Sequence, residues 1–286
     1  MGYKAIVLDM DGTTLNEVNT VNDTLKNYLI ELRNSGMKVF IATGRTVKEL
    51  RDVLPEDLII DGMVTANGMS AFIGTEKIFE HALPSELVDD MINKAAARKI
   101  FYEVHPNDGV RMALQKDKDY TVEQMTGAKP ETVDENEWLS RKVAVESKIN
   151  WVDQLEELSV AKIYFFSKEM KAIKDWITEL EQFKKITAFT TASSTHHNVE
   201  VTVDGVSKAT AVQVLLDHFS LSPDDILAVG DGENDLPLFK LSGHCVAMKN
   251  ALESVKEQAD EVTEYSYRED GLYHFLKKTF PIAQPK

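Results

Sequence analysis

The sequence predicts an α/β protein: a Rossmann-like, doubly wound parallel-sheet core into which a second, smaller α+β domain is inserted. Short continuous apolar runs of strand length recur at residues 4–10, 37–43, 58–66, 225–231 and 244–248. Amphipathic helical patterns separate them, as strands buried on both faces by helices require. In the middle of the chain this alternation gives way to a strand and helix mixture, and it resumes near the carboxyl end.

The run at 4–10 is apolar until Asp9 and reads as a buried central strand. Residues 23–34 carry Leu25, Tyr28, Leu29 and Leu32 at helical spacing and stop at Ser35 and Gly36, a carboxyl-terminal cap. After the second strand at 37–43, Thr46 and Glu49 form a capping box that opens a further helix. The third strand is expected at 58–66. Residues 85–99 are then helical, 105–121 polar, 160–167 strand-like and 171–183 helical; strand-like 187–191 and 198–203 precede the helix at 209–219 and the last two core strands. This places the core at 1–83 and 188–286 and the inserted cap at 84–187, with linkers near 82–85 and 185–188.

At 286 residues the chain can bury a sizeable core without disulfides, and its one cysteine, Cys245, reads as a buried strand residue in an apolar run. No uncharged stretch approaches the ~20 residues that cross a bilayer, and acidic residues interrupt any signal-peptide core near the amino terminus. A cytoplasmic location away from membranes is expected. The formal charge of −15 opposes a broad nucleic-acid or anionic-lipid footprint. An anionic substrate would need a few cations, and a metal ion, to reverse the potential locally.

Polar residues cluster where the apolar runs end. Asp9 and Asp11 follow the first strand, with Gly12 permitting an immediate turn; Thr43, Gly44 and Arg45 follow the second; Asp231, Asn234 and Asp235 follow the fourth. Ser207 and Lys208 open a helix. The carboxyl ends of parallel strands form a ligand crevice, so these distant residues should meet. Close carboxylates raise the proton affinity of one or attract a divalent cation, and hard oxygen donors select magnesium. Each residue alone has a plainer reading. The acids suit solvated turns, Thr43 a strand end, Lys208 an exposed helix start, and Arg45 a partner for a nearby acid that positions its loop. Asn67 and Gly68 read equally as a turn or as a loop near the substrate. His196, His197 or Asn198 would face the substrate from the core edge, although neighbours on a strand point to opposite faces, which argues against a paired-histidine metal site.

Taken together, DMDGT at 9–13, TGR at 43–45, GVSK at 205–208 and GDGEND at 230–235 resemble, in order, the four motifs of the haloacid dehalogenase superfamily of phosphohydrolases. The long insertion between the second and third motifs is similar to that of the Cof-like sugar-phosphatase branch. The resemblance implies that Asp9 is the nucleophile and Asp11 the general acid and base. It implies Mg2+ held by Asp9, the main-chain carbonyl of Asp11 and Asp231, with Asp235 as ligand or support. Thr43, Gly44, Lys208 and Asn234 would hold the phosphate. Three positions depart from the family pattern: Thr14, Ala209 and Lys249. The implied activity is a magnesium-dependent phosphatase acting on a small phosphorylated metabolite through an aspartyl-phosphate, as a monomer or weak homodimer. Sugar phosphates come first, with flavin mononucleotide and pyridoxal phosphate also within such branches. The alternatives are a phosphomutase or phosphotransferase and, in a different class, a phosphorylated receiver-type module.

Overall fold

The structure, a computed structural model, describes residues 2–155 and 158–282; the ends of the expected core, 1 and 283–286, lie outside it, as do 156 and 157 of the expected cap. Strand β1 (Ala5–Leu8) is buried at every position because both of its faces are covered. Ile6 and Leu8 pack with Leu25, Leu29 and Leu32 of α1 (Asp23–Asn34), whereas Ala5 and Val7 pack in a second cluster on the opposite face. This two-residue alternation, apolar on both sides, is the physical content of a doubly covered strand. Asn22 caps α1 by accepting from the Leu25 amide at 2.7 Å. The chain continues through β2 (Lys38–Ala42), α2 (Val47–Arg51), opened by the expected Thr46–Glu49 capping box, and β3 (Gly62–Thr65).

The third apolar run thus yields a strand only over its last part. Asn67 and Gly68, both at positive φ, then reverse the chain into β4 (Ser70–Ile73) and β5 (Glu76–Glu80), an antiparallel pair that the sequence reading did not anticipate.

Residues His81–Gly205 form a separate compact unit. It contains α3 (Ser85–Ala97), β6 (Phe101–Pro106), β7 (Met112–Leu114), α4 (Lys118–Gln124), α5 (Glu135–Val143), β8 (Asn150–Val152), β9 (Val160–Phe166), α6 (Met170–Phe183), β10 (Thr190–Ala192) and β11 (Asn198–Thr202). Its sheet runs β10-β11-β9-β6-β7-β8, antiparallel except for β7 with β8. The expected boundary at 187/188 is therefore corrected to 205/206. β10 and β11 pair with β9, Asn198 opposite Phe166, so they complete this sheet and do not belong to the core.

The core resumes with α7 (Lys208–Phe219), β12 (Ile226–Gly230), α8 (Leu236–Leu241), β13 (His244–Ala247), α9 (Glu253–Lys256), β14 (Glu261–Val262) and α10 (Gly271–Thr279). α10 packs beside α1, and α7 supplies Ala211, Val212 and Leu215 to the opposite cluster. The core sheet runs β14-β13-β12-β1-β2-β3-β4-β5 and is parallel from β14 through β3. Cys245 lies buried on β13, as expected. Among the described residues no helix is long and apolar enough to cross a membrane.

Within the inserted unit, Tyr102, Val104, Ile163 and Phe165 share an apolar cluster with Trp176 of α6, whose ring meets Phe165 at 5.0 Å. The other register mixes the buried aromatics Phe101 and Phe166 with the buried polar residues Glu103, His105 and Lys162. Glu103 accepts from Arg111 at 2.9 Å and from Arg141 of α5 at 2.6 Å. Burial opposes ionisation of Glu103, but the two guanidiniums outweigh it and hold the carboxyl well below the usual carboxylate range. A depressed carboxyl contributes stability above its unfolded pKa and loses it as the pH falls. Glu103→Gln should therefore lower unfolding stability by roughly 3 kcal/mol near neutral pH, as for a broken buried ion pair. In urea titrations across pH, the gap to wild type should narrow below about pH 4.5, where an unfolded glutamate takes up its proton.

Candidate active site

Strands β12, β1 and β2 end in step, with Leu8 opposite both Val229 and Ile41, so the residues that follow them lie along one edge of the sheet. The Asp9 amide still donates to the Val229 carbonyl at 3.0 Å, which fixes where the strand stops. The chain then turns tightly over Met10–Thr14. Gly12 sits at φ +74°, and a Cβ there would run into the carboxylate of Asp231, so conformation and close approach both demand glycine. Thr14 departs from the family pattern without leaving its hydroxyl idle: it donates to the Asp9 carbonyl at 2.5 Å.

Lys208 is the first residue of α7, whose amino terminus Ser207 caps through a reciprocal pair with Thr210. Its side chain is fully buried, and Nζ donates to Asp9 Oδ1 at 2.6 Å and to Asp235 Oδ1 at 2.7 Å. Burial disfavours the ammonium, but the carboxylates of Asp235 and Asp9 outweigh it and hold Lys208 above the ordinary lysine range. The other oxygen of Asp235 accepts the amides of Asp231 and Gly232, both at 3.1 Å, shaping the loop after β12. Asp231 in turn accepts from Thr13 and from Asn250, both at 3.2 Å.

Three carboxylates thus face one ammonium in a dry setting. Burial pushes the Asp9 carboxyl up to about 7, with Lys208 opposing and Asp235 reinforcing the rise. Burial, with Asp9 and Asp235 nearby, also holds Asp231 well above the carboxylate range. Excess negative charge of this kind is what a divalent cation relieves. Asp9, Asp231 and Asp235 each offer an oxygen, all within 4.8 Å of one another. An all-oxygen donor set of this size fits Mg2+ better than zinc or copper.

The remaining expected residues form a rim. Thr43 is buried; its hydroxyl accepts the Arg45 amide at 3.1 Å across Gly44, and its carbonyl accepts the Asn67 amide at 2.9 Å. The side chain of Asn234 donates to Asn67 Oδ1 at 3.1 Å, so the Asn-Gly turn belongs to this constellation. The side chain of Asp11 stands apart from the carboxylate cluster, 57% exposed and gripped by Arg45.

The histidine stretch is not part of the core. His196 to Asn198 lie in the inserted unit, not at the core edge. His196 is exposed, His197 Nδ1 donates to the Ser167 carbonyl at 2.8 Å, and Asn198 donates to Glu137 at 2.6 Å. Ala209 is tolerated because its position is helical. Lys249 extends over the Tyr265 ring at 5.9 Å. Sequence reasoning missed Thr13 and Asn250; the latter, which also donates to the Gly12 carbonyl at 2.9 Å, ties the end of β13 to the first turn. The one available signal was a polar residue just beyond a buried strand.

A family model described as haloacid dehalogenase-like hydrolase matches residues 6–276. The chain belongs to this family. It is 28% identical over 287 residues to the 5-amino-6-(5-phospho-D-ribitylamino)uracil phosphatase YwtE of Bacillus subtilis, covering 96% of each chain. A second Bacillus subtilis phosphatase of that name, YcsE, is 29% identical, with 94% of this chain and 92% of the relative covered. Among solved structures, a sugar phosphatase of haloacid dehalogenase subclass IIB superposes with a TM-score of 0.69 at 24% identity, covering 98% of this chain and all of the other, a likeness of fold.

Gly12→Ala tests the packing of the first turn against Asp231. Stability in urea should fall by about 1–2 kcal/mol from the left-handed backbone alone. Phosphoester turnover should fall at least about tenfold, because displacing Asp231 disturbs the reacting geometry.

Proposed function

We propose that this haloacid dehalogenase-like phosphatase hydrolyses a small phosphorylated metabolite through an aspartyl-phosphate on Asp9, with Mg2+ as cofactor. Compounds carrying a phosphorylated sugar or ribityl chain are the first candidates, in keeping with the names of the relatives. The observation that carries the reading is Lys208 buried between Asp9 and Asp235, with Asp231 beside them.

In this reading Lys208 holds one oxygen of Asp9, which leaves the other to attack phosphorus as the bond to the ester oxygen breaks. Asp11 gives a proton to the departing oxygen, then takes one from the water that releases phosphate from Asp9. Thr43, Gly44, Asn234 and Lys208 receive the phosphoryl oxygens, and the buried ammonium balances charge that develops there. Asp9, Asp231 and the Asp11 carbonyl would hold Mg2+. Asp235 supports them from behind, since its oxygens already hold Lys208 and the Asp231 loop. The bound ion would supply charge neutralisation, letting an anionic carboxylate meet a phosphate dianion.

A panel of phosphorylated metabolites assayed with Mg2+ tests this. At least one should release inorganic phosphate, and chelation should abolish release until Mg2+ is restored. Asp9→Asn should lower turnover by at least about 10³-fold while circular dichroism stays unchanged. Undiminished turnover in that variant contradicts the reading, and return of the phosphoryl group to a sugar would make the enzyme a mutase.

A further inference from the structure

Asp11 meets Arg45 through a two-pronged contact: Nε donates to Oδ2 at 2.8 Å and a terminal nitrogen donates to Oδ1 at 2.6 Å. The same terminal nitrogen donates to Asn19 Oδ1 at 3.1 Å. Asn19 is fixed at positive φ in a loop where Asn16 Oδ1 accepts the amides of Val18 and Thr20, at 3.1 and 3.0 Å. The backbone of Arg45 is anchored as well. Its amide donates to Thr43 Oγ1, its carbonyl accepts the Ala66 amide at 2.7 Å, and the Thr46 cap starts α2 directly after it. The guanidinium therefore extends from a fixed base to a fixed second partner, and its planar fork sets the plane of the Asp11 carboxylate. An Arg fork uses two of about four lone-pair directions on a carboxylate.

We propose that Arg45 is a positioning residue of the reaction: it orients the carboxyl of Asp11 so that its proton reaches the ester oxygen as that oxygen leaves phosphorus. This rests on the phosphatase reading above. The chemistry separates the role from that of a phosphate clamp. A poor leaving group, an alkyl or sugar phosphate, needs the proton as the P–O bond breaks and the Asp9–P bond forms. A good one, a nitrophenyl phosphate, departs as the phenolate without it. A clamp on the phosphate would serve both esters alike.

The experiment compares kcat/KM, which reports the steps up to leaving-group departure, for a hydrolysed alkyl phosphate and for nitrophenyl phosphate. It uses wild-type enzyme with Mg2+, Arg45→Ala and Arg45→Lys. For Arg45→Ala the alkyl ester should lose about 30-fold or more, within the range general acid catalysis contributes, and the aryl ester less than about threefold. Arg45→Lys should recover only part of the alkyl activity, because an ammonium keeps the charge and lacks the fork. The contact is partly solvated, so the fold should survive, which circular dichroism and thermal unfolding check. Equal losses on both esters with a raised KM would overturn the assignment and leave the phosphatase reading standing. Wild-type enzyme that cleaves neither ester would overturn that reading, and the role of Arg45 with it.

Discussion

The ammonium of Lys208, fully buried between Asp9 and Asp235, is the contact on which the rest of the site depends. Carboxylates this close in a dry environment repel one another, and a fold that gathers them must supply compensating charge from within. One lysine offsets part of the repulsion. The remainder leaves excess negative charge on a group of oxygens that could hold a cation.

That arrangement follows from a parallel sheet covered on both faces. Because β12, β1 and β2 stop at matching registers, Asp231, Asp9 and Thr43 emerge side by side although far apart in sequence. Apolar side chains on alternating faces of β1 hold α1 and α10 on one side and α7 on the other, and the start of α7 delivers Lys208. Packing in the core thus positions charge at its edge. The turn at Gly12, the Thr14 hydroxyl and Asn250 then hold the first loop against Asp231.

Much of this was legible from residue pattern. Continuous apolar runs located β1, β2, β12 and β13, and the spacing and caps of α1 and α2 agreed with the structure almost residue for residue. The motifs named Asp9, Asp231, Asp235 and Lys208, which do converge. Alternation shows that a segment is a strand without showing which strand it pairs with, and so β10 and β11 were assigned to the wrong sheet. The strands β4 and β5 went unread because they lie beyond the apolar run at 58–66, after the Asn67–Gly68 turn, and β5 is too exposed to show a buried apolar pattern. Thr13 and Asn250 carry no distinctive chemistry, and only tertiary proximity to Asp231 gives them a role.

The most direct test of the account is to find the residue that accepts the phosphoryl group. Enzyme quenched in acid during turnover, reduced with borohydride and mapped by peptide mass spectrometry should carry homoserine in place of aspartate at position 9 and at no other. Reduction at a different aspartate, or none while phosphate is being released, would contradict a nucleophile at the end of β1.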